Sequence, residues 1–550
     1  MDEFDFVIAG AGSAGCVLAN RLSADGASVL LLEYGGSDAS PFIQMPAALA
    51  IPMNSPKYDW GFVGEPEPQL GNRRLHVPRG KVLGGSSSVN GMVYVRGHAR
   101  DFDGWQAMGA SGWSYADVLP YFRRAEAFAG GGDEFRGDSG PLRTRRGDMA
   151  NPLYRAFIQA GTEAGYAATA DVNGFRQEGF GALDMTVYGG RRWSAANAYL
   201  KPALARKNLE VRSRALVTNV LFAGRRATGL AFSHRGKMHK AKARREVILA
   251  AGAINSPHLL KLSGIGPGDE LRRHGMAMVH DVPGVGENLQ DHLEFYFQVA
   301  CRQPITLYSS TGLVAKALIG LRWLMVKQGL GTSNHFEAGG FIRSAMGVAW
   351  PNIQFHFLPL AISYDGKGLA TQHGYQAHVG PMRSKSRGSI TLRSPDPREA
   401  PRIKFNYMSE ATDWEEMHAC VRLTREIFGM AAFDPYRGAE IQPGKNVTSD
   451  ADIDAFVRQK VETAYHPCGA CRMGAASDPD SVVDPQCRVV GIDGLRVVDS
   501  SVMPAITNGN LNAPTIMIAE KASDHILGRN PLPRAGAVPF CAPGWETRQR

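Results

Sequence analysis

Between Asp5 and Glu33 the chain has little freedom of fold. An apolar run, Phe6 to Ala9, leads into Gly10-Ala11-Gly12-Ser13-Ala14-Gly15, a helix-like segment follows, and a second apolar run, Val29 to Leu32, ends on Glu33. Strand, glycine triplet, helix and strand with a terminal acid describe a dinucleotide-binding βαβ unit. Each glycine has its own reason. Gly10 permits the tight turn, Gly12 lets backbone approach a pyrophosphate, and Gly15 lets the helix pack against the strand. The helix opens at small residues, Ala14 among them, and its free N–H groups and partial positive charge suit phosphate oxygens. Glu33 lies 18 residues beyond Gly15, where a carboxylate accepts hydrogen bonds from ribose hydroxyls and repels a 2′-phosphate, which argues against NADP.

At 550 residues the chain is too long for one simple core, so two domains are expected. A composition of 44% hydrophobic and 21% charged residues is that of a soluble globular protein. The net charge of +9 is dispersed (Arg143, Arg145 and Arg146; Arg191 and Arg192; Arg244 and Arg245). No long basic block is interleaved with aromatics, so nucleic acid is not an expected partner. Loose peripheral contact with an anionic membrane surface stays open. The chain enters a core strand directly after Met-Asp-Glu and holds no run of about 18 apolar residues, so neither a secretory leader nor a membrane span is expected. The seven cysteines are odd in number and scattered, which fits a reducing compartment. The location expected is cytoplasmic, with peripheral attachment at the inner membrane as the variant.

Glu246 to Ala251 and Leu495 to Asp499 read as further strands of the nucleotide-binding sheet, and the segment from Asn510 as a helix ending at Gly528. The nucleotide-binding domain is therefore discontinuous, drawn from 1–150, 195–295 and 455–530. Aromatic, alternating stretches such as Ile353 to Leu358, broken by turns such as Ser394-Pro395-Asp396-Pro397, suggest an antiparallel sheet within a substrate domain of residues 151–194 and 296–454. The fold expected is thus a Rossmann-like α/β domain joined to an antiparallel-sheet domain, α+β overall. Residues 531–550, rich in Pro, Gly and Arg, are expected to form a mobile tail. Gly264-Ile265-Gly266 and Gly284-Val285-Gly286 do not make a second βαβ unit, so one dinucleotide is favoured, and it must itself hold the electrons.

Further motifs narrow the choice: Gly80-Lys81-Val82-Leu83-Gly84-Gly85-Ser86-Ser87-Ser88-Val89-Asn90, Gly252-Ala253-Ile254-Asn255-Ser256-Pro257 running on to Gly266, Val282 to His292, Tyr465-His466-Pro467 and Asn510-Leu511-Asn512. In this order they resemble the signatures of the glucose–methanol–choline oxidoreductase family, over residues 4 to 528. The resemblance implies FAD bound between two domains and oxidation of an alcohol. It assigns Gly10, Gly12, Ala14, Gly15 and Glu33 to the ADP half, and Gly84, Gly85, Ser86, Asn90 and Gly91 to the flavin side. It gives Val217 backbone contact with adenine, and places Gly252, Asp499 and Asn510 near the cofactor. Some members attach FAD through a histidine just before the loop asparagine; here Val89 stands there, which implies dissociable FAD.

Oxidising an alcohol needs a base for the hydroxyl proton and an acceptor for the hydride. His suits the first role, and the resemblance singles out His466, paired with Asn510, whose amide can orient the substrate oxygen without titrating. Asn334 to Ser344 and Trp350 to Pro359 resemble choline-oxidising members most. There Glu337 matches the carboxylate that meets the trimethylammonium group and His356 the second active-site histidine, with Trp60 and Phe357 offering ring faces. The N-terminal third resembles dehydrogenases of neutral aliphatic, polyether or aromatic primary alcohols equally well, and a flavin lyase or photoenzyme is the reading from another class. The acceptor expected is a quinone or similar carrier. Cys468 and Cys471 read as packed thiols, not as a redox pair or half of a metal site, and no metal is expected.

Overall fold

A computed structural model describes residues 2–362 and 371–550. Its chain forms β1 (Asp2–Ala9), α1 (Ser13–Ala24), β2 (Val29–Glu33), α2 (Pro152–Glu163), β3 (Gly179–Ala182), β4 (Leu209–Ser213), β5 (Ala215–Ala223), β6 (Arg226–His234), β7 (Lys237–Leu249) and α3 (Gly252–Leu262). Then come β8 (Leu293–Cys301), α4 (Leu313–Val326), β9 (Ala338–Ile342), β10 (Ile353–Leu358), β11 (Gly374–Pro381), α5 (Ala411–Phe428), β12 (Arg437–Gln442), β13 (Leu495–Val497) and α6 (Asn512–Ile526), besides elements that do not bear on the site.

The first sheet runs β4-β2-β1-β7-β6-β5, with β13 also on β7. The β4, β2, β1, β7 and β13 pairings are parallel, and β5, β6 and the start of β7 form an antiparallel meander. The continuous apolar runs of β1 and β2 follow from this position: both are flanked on each side, and Phe6 to Ala9 and Val29 to Leu32 are buried. Helices α1 and α6 pack against each other beside the sheet. β7 is longer than the expected run because its first half is a hairpin arm of β6.

The second sheet runs β12-β8-β11-β10-β9-β3, antiparallel throughout. Its inner face packs aromatic rings against α2 and α5: Phe157 stacks on Phe357 at 4.7 Å, and Phe428 meets Tyr375 and Phe433. Phe357 is therefore core and not pocket wall, a correction that strand alternation explains, since its neighbour His356 takes the opposite face. Residues 531–550, expected as a mobile tail, lie along the body. Leu532 N–H donates to Tyr121 Oη, Phe540 N–H to the Phe175 carbonyl, and Arg550 pairs with Glu426 at 2.7 Å.

Candidate active site

A cleft lies between the two sheets and is walled by both. From the first come Gly10, Gly12, Ala14, Glu33 and Val217, and from the connecting segments Gly85, Ser86, Asn90, Gly91, Gly252 and Asp499. Gly15 and Gly84 stand behind this wall. A Cβ on Gly15 would sit 1.9 Å from the Gly10 carbonyl oxygen, so the glycine is what lets α1 approach β1. Gly10 holds φ +99° with Ala250 O 2.5 Å from its would-be Cβ, whereas Gly12 has only Ala250 O at 3.9 Å and faces open cleft. Glu33 closes β2 with both oxygens engaged, accepting from Ala11 N–H at 2.9 Å and Gly35 N–H at 2.7 Å. Burial pushes its carboxyl up to about 7 despite these donors. Asp499 accepts from Gly252 N–H and Ser256 Oγ at 2.9 and 2.6 Å, tying β13 to the start of α3. The glycine–serine loop is stapled by Arg192, which donates from Nη1 to Asn90 Oδ1 at 2.8 Å and from Nε to the Ile43 carbonyl at 2.8 Å. Burial draws the Arg192 guanidinium down to about 9.

Opposite this wall, His466, Asn510 and His356 come together. Asn510 Nδ2 lies 3.1 Å from His466 Nε2, and Asn510 Oδ1 lies 3.3 Å from His356 Nε2. Behind His466 stands His292, Nδ1 to Nδ1 at 3.1 Å, with its own Nε2 3.0 Å from the Met382 carbonyl oxygen. The tautomers follow by elimination. A carbonyl only accepts, so His292 carries its proton on Nε2. Burial holds His292 down to about 3, so it is neutral and its Nδ1 is bare. His466 must then donate from Nδ1. Burial, then His292, His356 and Arg79, hold His466 well below the ordinary histidine value, so it too is neutral and its Nε2 lone pair faces Asn510 and the cleft. Asp291 fixes both rings from the backbone, accepting at Oδ1 from His466 N–H at 2.7 Å and His292 N–H at 2.9 Å. Its Oδ2 accepts from Tyr407 Oη at 2.7 Å and Thr463 Oγ1 at 2.5 Å.

Beside this trio the second sheet offers Glu294, Tyr296 and His378 to the cleft, and the segment before β9 adds Phe336. Glu294 Oε1 lies 2.9 Å from His378 Nδ1, and the Tyr296 and Phe336 rings stand 4.3 and 5.3 Å from the His378 ring. Trp60 lines the cleft too, 5.0 Å from the Tyr34 ring and stacked on Phe62 at 5.6 Å. Glu337 does not line it. Its carboxylate accepts from Met149 N–H at 2.6 Å and Ser333 Oγ at 2.5 Å, turned away because its neighbour Phe336 takes the cleft side. The carboxylate that the second sheet turns into the cleft is Glu294, two residues after His292.

Models of the GMC oxidoreductase family match residues 4–294 and 384–519. The chain belongs to the GMC oxidoreductase family. It is 60% identical over 549 residues to an "Oxygen-dependent choline dehydrogenase" of Brucella ovis, covering all of both chains, and 59% identical over 542 residues to one of Rhizobium etli, covering 98% of each. Among solved structures, pyridoxine 4-oxidase from Mesorbium loti is 32% identical with a TM-score of 0.87, covering 96% of this chain and 99% of that one. Formate oxidase from Aspergillus oryzae is 26% identical with a TM-score of 0.89, covering 96% and 98%.

As a GMC oxidoreductase the protein is an FAD-dependent oxidoreductase, and its residues fit that cofactor. Gly12 and Gly252 leave the cleft open where a side chain would intrude, and His258 presents a buried Nε2 with no hydrogen-bond partner among the described residues. Sequence reasoning missed His292, Asp291 and Glu294, although Asp291-His292 closes a motif quoted for the family. The motif marks them, but its residue types alone give no role, since a buried Asp-His pair serves structure equally well.

Proposed function

We propose that this protein oxidises choline to betaine aldehyde. The observation that carries the reading is one cleft holding a neutral His466, Asn510 and, beside them, a carboxylate among aromatic rings. The full-length likeness to relatives named choline dehydrogenases supports it. The first sheet and its loops serve as the FAD domain and the second as the substrate domain. FAD supplies the two-electron acceptor for the hydride leaving the alcohol carbon. Asn510 orients the substrate oxygen by its amide, and His466 Nε2 takes the hydroxyl proton as the carbonyl forms. His292 keeps that nitrogen bare, and His356 faces the same amide from the other side. Glu294 and the rings of Tyr296 and Phe336 receive the trimethylammonium group, with Trp60 as a further aromatic wall. The final acceptor is a quinone met by peripheral contact with a membrane; oxygen, which the relatives' printed name specifies, is the comparison. Anaerobic mixing with a panel of alcohols tests the reading: choline bleaches the oxidised-flavin absorbance faster than neutral alcohols of equal size. Failure of every alcohol to bleach it sinks alcohol oxidation altogether.

Two further outcomes are expected. With Val89 in place of a tethering histidine, acid precipitation releases all flavin into the supernatant, and flavin retained on the washed pellet contradicts this. His292→Leu lowers kcat by about 10–100-fold with KM nearly unchanged, because His466 loses the partner that fixes its tautomer; a misassigned tautomer in a hydrolytic triad costs roughly 10⁴. A raised KM with kcat intact would instead place His292 in substrate binding.

A further inference from the structure

Helix α4 carries an outer face that no described residue covers. Leu313, Val314 and Met325 are 86%, 75% and 74% exposed, and Leu318, Leu321 and Leu324 are exposed as well. At the helical repeat these six fall on one arc of about 140°. Arg322 borders the arc on one edge and Lys316 on the other, while Lys327, just past the helix end, turns its Nζ back onto the Trp323 and Leu324 carbonyls. The opposite side holds the helix to the body through one buried ring, Trp323, whose Nε1–H donates to the Gly190 carbonyl at 2.6 Å. Soluble proteins rarely leave so many contiguous large apolar side chains in water.

We propose that α4 docks the enzyme on an anionic lipid surface, lying in the plane of the interface. This deepens the peripheral contact in the functional reading above by naming its surface. At 14 residues the helix is about 21 Å long, too short to cross a hydrocarbon core of about 30 Å. No described helix is long and apolar enough to cross a membrane. An apolar arc flanked on both edges by long cationic side chains is the pattern of an interfacial helix, whose lysines and arginines reach up to headgroup phosphates. Charge selects the occupant. Between Glu294 and Glu337 the sequence holds no carboxylate, while Arg302, Lys316, Arg322 and Lys327 are cationic. A second copy docked face to face would set these cations against each other with no acid in the segment to pair them. Anionic headgroups complement them.

The patch also reaches the active site. Residues 330–332, which follow α4, pack on residues 46–48. Directly beyond, Leu49 and Met53 line the cleft, and Ile51 between them is exposed. Docking through α4 therefore brings one wall of the cleft to the bilayer surface, where an apolar electron acceptor dissolved in lipid is concentrated.

The test is flotation of the flavin-loaded enzyme with vesicles of phosphatidylcholine alone and of phosphatidylcholine with phosphatidylglycerol. It is run on the wild type, on a Leu321→Asp/Met325→Asp variant and on a Lys316→Glu/Arg322→Glu variant. The wild type should float with the mixed vesicles at least tenfold better than with neutral ones. The aspartate variant should lose binding at least tenfold to both, and the charge-reversed variant should lose the preference for anionic lipid. Choline turnover with a water-soluble acceptor, measured on the same samples, should be unchanged, which separates failure of docking from failure of the choline reading. The proposal is overturned if the wild type stays with the unbound fraction, or if the aspartate variant floats as well as the wild type. Sedimentation without lipid provides the last arm: a wild-type dimer that the aspartate variant converts to monomer makes the face a self-association surface and overturns lipid docking.

Discussion

Replacing His466 with alanine lowers kcat for choline by about 10²–10⁴-fold, the range that a positioned general base contributes, while the purified variant stays yellow. The size follows from the geometry. His466 is the one group in the trio whose lone pair is left facing the cleft by the hydrogen-bond chain. Met382 O accepts from His292, His292 accepts from His466, and His466 Nε2 accepts only the neutral amide of Asn510. Alanine removes the proton acceptor and leaves Asn510 to orient an oxygen that nothing deprotonates. Flavin retention is expected because the glycine turn, Glu33 and the Arg192-stapled loop stand on other segments. The pH profile gives a second reading of the same group. The imidazole is held below 6.5, so the active, neutral form predominates at pH 7 and the acid limb of kcat/KM falls below pH 6.5. As pH drops through the folded value, protonation abolishes the base, so activity declines with acid and is flat above. Stopped-flow bleaching of the flavin measures both; wild-type bleaching rates in the alanine variant would remove His466 from the proton-transfer role.

The parts of this site that the sequence made readable are those whose chemistry is written in consecutive residues. Gly10, Gly12, Gly15 and Glu33 carry their reasons in their spacing, because a turn, a close approach and a strand end are local. His466 and Asn510 lay in short segments of recognisable pattern and meet at 3.1 Å. What local spacing cannot fix is the face a strand residue presents. Along a strand successive side chains alternate, so an assignment one residue out reverses in from out. Phe357 fell to this parity, since His356 took the cleft side and Phe357 the aromatic core; Glu337, just before β9, is held in a corner by Met149 N–H and Ser333 Oγ while Phe336 takes the cleft side. The contacts of the C-terminal segment were hidden for a related reason. Its composition is that of a mobile tail, but the groups that hold it, such as Tyr121 Oη and Glu426, belong to distant stretches of chain. The outer face of α4 is legible only in the fold, since the sequence of an apolar helix does not show whether neighbours cover it.

The parity of these strands yields the second large effect. Glu294→Gln lowers kcat/KM for choline by about 100-fold and leaves 3,3-dimethyl-1-butanol, the neutral isostere, within about threefold. A carboxylate about 5 Å from an ammonium at an effective dielectric of about 20 contributes roughly 3 kcal/mol, which is a factor of about 100 or more. The amide keeps the shape and still offers an oxygen to His378 Nδ1, so the change isolates charge. The cation is present in substrate and transition state alike, so the loss falls mainly on KM, with kcat little altered. Glu337→Gln is the matched control. Its carboxylate serves Met149 N–H and Ser333 Oγ outside the cleft, so the variant weakens that corner without changing the preference between the two alcohols. The ratio of kcat/KM for choline to that for the isostere is therefore the quantity to measure in both variants. A ratio that collapses in Glu294→Gln and holds in Glu337→Gln assigns the cation site to β8. The reverse pattern would return it to the segment before β9, and equal neutrality in both would mean that no carboxylate of the cleft recognises the substrate's charge.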